Sequence, residues 1–168
     1  MNHKRWWVRW ALVFLLHAAW SSSTLAQLPD AIERIKPAVV LVGTYRATDT
    51  PRFRYVGTGF VVGDGLRVVT NAHVTAAIGN VGADGPALVV QLRAGASAWA
   101  MRQARVLETV HEHDLALLEI DGPAAPALNV VASEPVREGD ELAFMGFPIG
   151  GVLGFSSVTH RATVSSIT

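Results

Sequence analysis

The stretch VVTNAHVTAA, residues 68–77, decides how this chain is read. A run of Val and Thr suited to a strand stops at a lone histidine. The small residues after it can make one helical turn. Either His73 is a packed structural side chain, or a strand has ended there to hold an imidazole in place.

Outward from that point, the sequence falls into short β-branched and apolar runs. They are AVVLVGTYR (38–46), YVGTGFVVG (55–63), LRVVTNAHV (66–74), ALVVQLRAG (87–95), WAMRQARVLETV (99–110) and LALLEID (115–121). The breaks TDTPR, GDG, GNVGADGP, AGAS and HEHD separate them. GDG, residues 63–65, fits a tight hairpin with positive-φ positions. No amphipathic helix lies between the runs, so a closed barrel or sandwich is expected rather than a βαβ sheet.

Before the first run, LPDAIERIKPAVV predicts a short helix from about Asp30 to Lys36. Asp30 can cap it, Ile32 and Ile35 share a face, and Pro37 ends it. Further upstream, MNHKRWWVRW is basic, ALVFLLHAAW is a short apolar run, and SSSTLAQ offers Thr24 and Ala26 at the −3 and −1 positions of a cleavage site. This is the three-part pattern of a secretory signal over residues 1–26. The apolar run is about half the roughly twenty residues a membrane span needs. An exported protein, periplasmic or secreted, is the expectation.

Beyond residue 121 the Pro- and Ala-rich stretch DGPAAPALNVVASEPVREGDE predicts a linker or long crossing loop. Two more strand-like runs follow, ELAFMGFP (141–148) and FSSVTHRATVSSIT (155–168). Two strands cannot close a barrel, and their edges offer unpaired backbone groups. They are expected either to pack back on the first barrel or to need further residues.

Composition narrows the chemistry. The 168 residues suffice for one ordinary domain and its core. Formal net charge is zero, but without residues 1–26 eleven basic residues stand against fourteen acids. Nucleic acid is then an unsuitable partner. There is no cysteine, which excludes a thiol nucleophile, a thiolate metal site and a disulfide.

A second feature bears on His73. In HDLALLEID, residues 113–121, Asp114 directly precedes an apolar strand. A carboxylate at the mouth of such a strand is expected to be partly buried and to need a partner. If the fold brings it to His73, it can accept a bond from Nδ1–H and leave Nε2 free as a base. Glu112 competes for that role but does not abut the apolar run. His111 and His113 could hold zinc with a third ligand, yet no third ligand is identifiable. An exposed loop explains them more simply. GFPIGGVLG lacks the Lys and the following helix of a phosphate loop.

GTGFVVGDGLRVVTNAHV, HDLALLEID, REGDELAFMGFPIG and SVTHRATVSSI together resemble the trypsin-like serine proteases, most of all the bacterial HtrA/Deg branch. The helix AIERIKPAVVLV is also similar to that branch, and the resemblance covers about residues 29–168. It implies an all-β fold of two six-stranded barrels with a cleft between them. The first barrel would occupy residues 27–121 with its leading helix, the linker residues 122–140, and the start of the second barrel residues 141–168. It implies catalysis with His73 as general base and Asp114 as the acid that orients it, no cofactor, polypeptide substrates and a possible homo-trimer.

The family's nucleophile is a serine in a Gly-Asn/Asp-Ser-Gly-Gly segment, and these 168 residues contain no such segment. Ser156 and Ser157, in GFSSV, and Ser165 and Ser166, in TVSSI, match structural parts of the second barrel instead. The expectation is therefore the N-terminal part of a serine endopeptidase, inert as it stands. A non-catalytic pseudoprotease or peptide-binding module is the alternative.

Overall fold

A computed structural model describes residues 27–79, 85–95, 98–130, 135–148 and 154–167. The secretory signal predicted over residues 1–26 lies outside the described residues. The chain divides into two compact units, Met1–Arg34 and Ile35–Thr168. The first is described only by helix α1, Gln27–Ile35. It starts three residues before the predicted Asp30, so Asp30 does not cap it. Asp30 sits in the first turn, where a negative charge complements the helix dipole. Past Ile35 the chain tightens into a 3-10 turn, Lys36–Ala38, with Pro37 inside it. Among the described residues no helix is long and apolar enough to cross a membrane.

The second unit is built on six antiparallel strands: β1 (Val39–Tyr45), β2 (Phe53–Val62), β3 (Arg67–Thr70), β4 (Ala87–Arg93), β5 (Trp99–Val110) and β6 (Leu115–Ile120). They close into a barrel in the order β1-β2-β3-β6-β5-β4, with β4 pairing back on β1. Closure gives each of these strands a neighbour on both sides. The alternation along β6 shows how the sequence specifies the interior. Ala116, Leu118 and Ile120 are buried while Leu115, Leu117 and Glu119 face outward. Inside, Val40, Val42, Val61, Val68, Leu88, Val90 and Leu92 complete the core with Leu118 and Ile120. On the outer face, Glu119 bridges Arg67 on β3 at 2.8 Å and also meets Arg105 on β5.

The predicted hairpin turn joins β2 to β3, with Gly63 and Gly65 both at positive φ. Asp64 Oδ1 accepts from the Leu66 N–H at 2.9 Å. Gly65 is fixed twice over. Its φ is +82°, and a Cβ there would stand 2.5 Å from the Ala125 carbonyl oxygen. That closeness lets the stretch after β6 run along the barrel. Gly65 accepts from the Ala125 N–H at 2.9 Å, and Val61 accepts from the Leu128 N–H at 2.8 Å.

β3 is shorter than LRVVTNAHV suggested. It ends at Thr70, and helix α2, Ala72–Ile78, follows after the single residue Asn71. The break HEHD likewise holds a 3-10 turn, His111–His113, rather than extended chain.

The last two strands, β7 (Glu141–Gly146) and β8 (Val158–Thr163), pair antiparallel as a two-stranded sheet. β8 is confined to the middle of the run predicted for it. The hairpin is anchored to the barrel through Phe147, which is buried against Val39 and Leu41 together with Phe53, Tyr55 and Trp99. Tyr55 Oη donates to the Phe147 carbonyl at 2.8 Å, and the Phe147 N–H donates to Thr58 Oγ1 at 3.0 Å. This second core explains why β1 is buried on both faces, with six consecutive buried residues from Val39 to Thr44.

Candidate active site

His73 and Asp114 are 41 residues apart in sequence, and strand register brings them together. β3 and β6 are neighbours, with Thr70 opposite Ala116. Extending the chain beyond each strand end at that register sets residues 71–73 against Asp114. The Ala72 N–H closes the corner by donating to the Asp114 carbonyl at 3.1 Å. α2 then carries His73 in its first turn, while Val74, buried at 4% exposure, points into the barrel core.

The packing of α2 explains GTGF. A Cβ on Gly57 would lie 2.5 Å from Val74 Cγ2, so only a residue without a side chain lets α2 seat there. A Cβ on Gly59 would meet Val68 Cγ1 at 2.8 Å, Val42 Cγ2 at 3.0 Å and the Val69 carbonyl oxygen at 3.1 Å. Thr70, buried at the end of β3, donates its hydroxyl to the Thr58 carbonyl at 2.8 Å and ties the same corner to β2.

Asp114 stands in the left-handed region, at φ 51° and ψ 44°, where the 3-10 turn hands over to β6. Its Oδ1 accepts from the His73 backbone N–H at 2.9 Å. Its Oδ2 lies 2.7 Å from His73 Nδ1 and accepts from Asn71 Nδ2 at 3.2 Å. The His73 backbone N–H, then its side chain, hold the Asp114 carboxyl below its usual range, with the Asn71 amide adding to the effect and burial opposing it. An ionised carboxylate has no proton to give, so Nδ1 is the donor, and in the neutral ring Nε2 then carries the lone pair.

Asp114 is partly buried, as expected at the mouth of a strand, while His73 is exposed. The side chains of His73 and Asp114 are 70% and 46% exposed. Among the described residues, the imidazole bonds to Asp114 alone, and no serine hydroxyl reaches it. Ser156 is exposed ahead of β8, the Ser157 hydroxyl is buried without a partner, and Ser165 and Ser166 are exposed beyond β8. Glu112 lies with His111 and His113 on an exposed turn. Among the described residues, no group of three or more His, Asp or Glu side chains is placed to hold a metal.

Sequence reasoning missed Asn71 and the left-handed Asp114. Asn71 sits where any helix N-cap would, and nothing in HEHD marks its last residue for positive φ.

A closed six-stranded barrel whose rim joins an imidazole to a distant carboxylate defines a class, and residues 57–168 match the model of the trypsin-like peptidase domain. The chain belongs to that family, with a likeness to its HtrA members. Serine protease HTRA1A of Danio rerio is 34% identical over 142 residues, covering 80% of this chain and 27% of that protein. A "Probable periplasmic serine endoprotease DegP-like" of Pseudomonas putida is 30% identical over 95 residues, covering 56% of this chain and 18% of that one. Among solved structures, the serine endoprotease from Yersinia pestis superposes with a TM-score of 0.61 at 24% identity, over 82% of this chain and 44% of that chain. An HtrA-type protease with tripeptide gives 0.60 at 25% identity, over 82% and 39%. The chain thus spans about a quarter of the length of the curated relative first compared.

Proposed function

We propose that this chain carries the general base and the orienting acid of an exported serine endopeptidase. His73 takes the proton from a serine hydroxyl supplied outside the described residues and later returns it to the leaving amine. Asp114 holds the imidazole with Nδ1 protonated and stabilises the imidazolium that forms. A single observation carries this reading: Asp114 receives both the backbone N–H and Nδ1 of His73, at 2.9 and 2.7 Å. One carboxylate thereby fixes the position and the tautomer of the same residue.

The domain division that goes with it is a signal over residues 1–26, a first barrel over 27–121, a linker over 122–140 and the start of a second barrel over 141–168. The substrates are polypeptides, reached outside the cytoplasm. Export is supported by the leader pattern in the sequence and by the periplasmic designation of the DegP-like relatives. No cofactor enters the reaction. A homo-trimer is the assembly proposed from the family likeness.

The test is peptide hydrolysis by the complete gene product. Asp114→Asn leaves the side-chain shape and removes the charge, and by the precedent of serine-protease triads it lowers kcat about ten-thousandfold. An unchanged rate removes Asp114 from the machinery. A complete product with no hydrolysis, but with cleft-dependent peptide binding, favours the peptide-binding module instead.

A further inference from the structure

Asn71 occupies the N-cap of α2, in extended conformation at φ −81° and ψ 148°. Asn is among the preferred residues there because its side chain can accept from a free N–H of the first turn. Here it makes no such bond. The N–H it would have taken, that of His73, goes to Asp114 Oδ1. The Asn71 amide reaches across to the turn before β6 instead, where Nδ2 donates to the Asp114 carbonyl at 3.1 Å and to Oδ2 at 3.2 Å. The opposite amide orientation would set an oxygen against two oxygens, so the network itself fixes which atom is nitrogen.

Asp114 is a residue that needs holding. An L side chain in the left-handed region persists only where its surroundings over-determine it. Its carbonyl is held by the Ala72 N–H and by the Asn71 amide. The same amide grips the carboxylate oxygen that faces His73 Nδ1. Backbone and side chain of Asp114 are therefore tied to one group, and turning the carboxylate away from the imidazole breaks the Asn71 contact too. The charged or titratable neighbours on the adjoining turn, His111, Glu112 and His113, make no hydrogen bond to this carboxylate among the described residues.

We propose that Asn71 is a positioning residue, whose amide fixes the conformer of Asp114 that receives His73 Nδ1–H. The proposal rests on His73 and Asp114 being the base and its orienting acid. It assigns Asn71 to the acid rather than to its own helix.

Two substitutions separate these roles. Ser is as good an N-cap as Asn, but its hydroxyl is too short to span to Asp114, whereas Ala neither caps nor spans. The readout is the NMR signature of the His73 imidazole in the present chain, at a pH where the ring is neutral. It consists of the low-field Nδ1 proton and the ¹⁵N shifts that report the tautomer. Asn71→Ser and Asn71→Ala are expected to lose the low-field proton alike and to shift the ring toward the Nε2–H tautomer, while the amide spectrum of the barrel strands stays unchanged. If Asn71→Ser keeps the parent signature and only Asn71→Ala loses it, Asn71 is a helix cap and the proposal fails. Retention in both variants overturns it as well. A parent chain that lacks the low-field proton overturns the pair itself, and so distinguishes failure of the site from failure of Asn71's role.

Discussion

At the scale of single residues, the site consists of one carboxylate shared among three donors: the His73 backbone, the His73 ring and the Asn71 amide. Asp114 therefore has a depressed pKa, and the folded chain binds fewer protons there than the unfolded chain does. The stability this contributes is present above the unfolded carboxylate range and is lost as pH falls through the lowered folded value. Both side chains are substantially exposed, so solvent screening keeps the effect small. Denaturant midpoints of the parent and Asp114→Asn chains, followed from neutral pH into acid, are expected to converge as pH falls. A parent advantage that persists undiminished in acid contradicts the shift. His73 and Asp114 were both legible in the sequence, one as a polar interruption of a strand and the other as an acid abutting an apolar run. Their bond could be named only conditionally and by family resemblance, because it depends on register between strands far apart in the chain. Asn71 was illegible for a different reason: its sequence position is satisfied equally well by ordinary capping, and only the left-handed turn at Asp114 diverts it.

At the scale of elements, α2 places the imidazole, and Gly57 lets α2 approach. Adding a methyl at Gly57 puts a carbon 2.5 Å from Val74 Cγ2, a contact that must be relieved by moving Val74. Overpacking of this kind costs about 1–3 kcal/mol, and Gly57→Ala is expected to fall in that range by chemical denaturation. Val74→Ala opens the space that the added methyl would occupy, so the double variant should be less destabilised than the sum of the two singles. Strict additivity, or an unaffected Gly57→Ala chain, removes the close contact as the reason for glycine. The strands themselves were readable because their signal is local. β1, β2, β4, β5 and β6 follow runs of apolar and β-branched residues bounded by turn residues. The ends were less readable. α1 begins at Gln27 rather than after Asp30, and β3 gives way at Thr70 to a helix whose first residues read as strand and whose later ones were read as a helical turn. At β3 a propensity argument competes with the hydrogen bonds that tie residues 71–73 to Asp114.

At the scale of the molecule, barrel closure was predictable from six short runs without intervening amphipathic helices, and the structure closes them. How β7 and β8 relate to that barrel was left open, because the join is made by Met145, Phe147 and Phe155 at and beyond the strand ends, packed with Val39, Leu41, Phe53 and Tyr55. Phe147 falls near the end of the strand-like run ELAFMGFP, just past the observed β7, and fills the outer face of β1 among Phe53, Tyr55 and Trp99. Trp99 meets it edge-on at a centroid distance of 5.8 Å. The hairpin beyond that anchor is open, with Leu142 and Phe144 at 47% and 60% exposure. The role proposed for the His73–Asp114 pair is to serve a serine supplied from outside the described residues. A fluorophosphonate probe tests this most directly, applied to the complete gene product and to the present chain, with the labelled residue identified by mass spectrometry. One labelled serine is expected in the complete product, abolished by His73→Ala, with no label on the 168-residue chain. Labelling of Ser156, Ser157, Ser165 or Ser166, or labelling that survives His73→Ala, would contradict it.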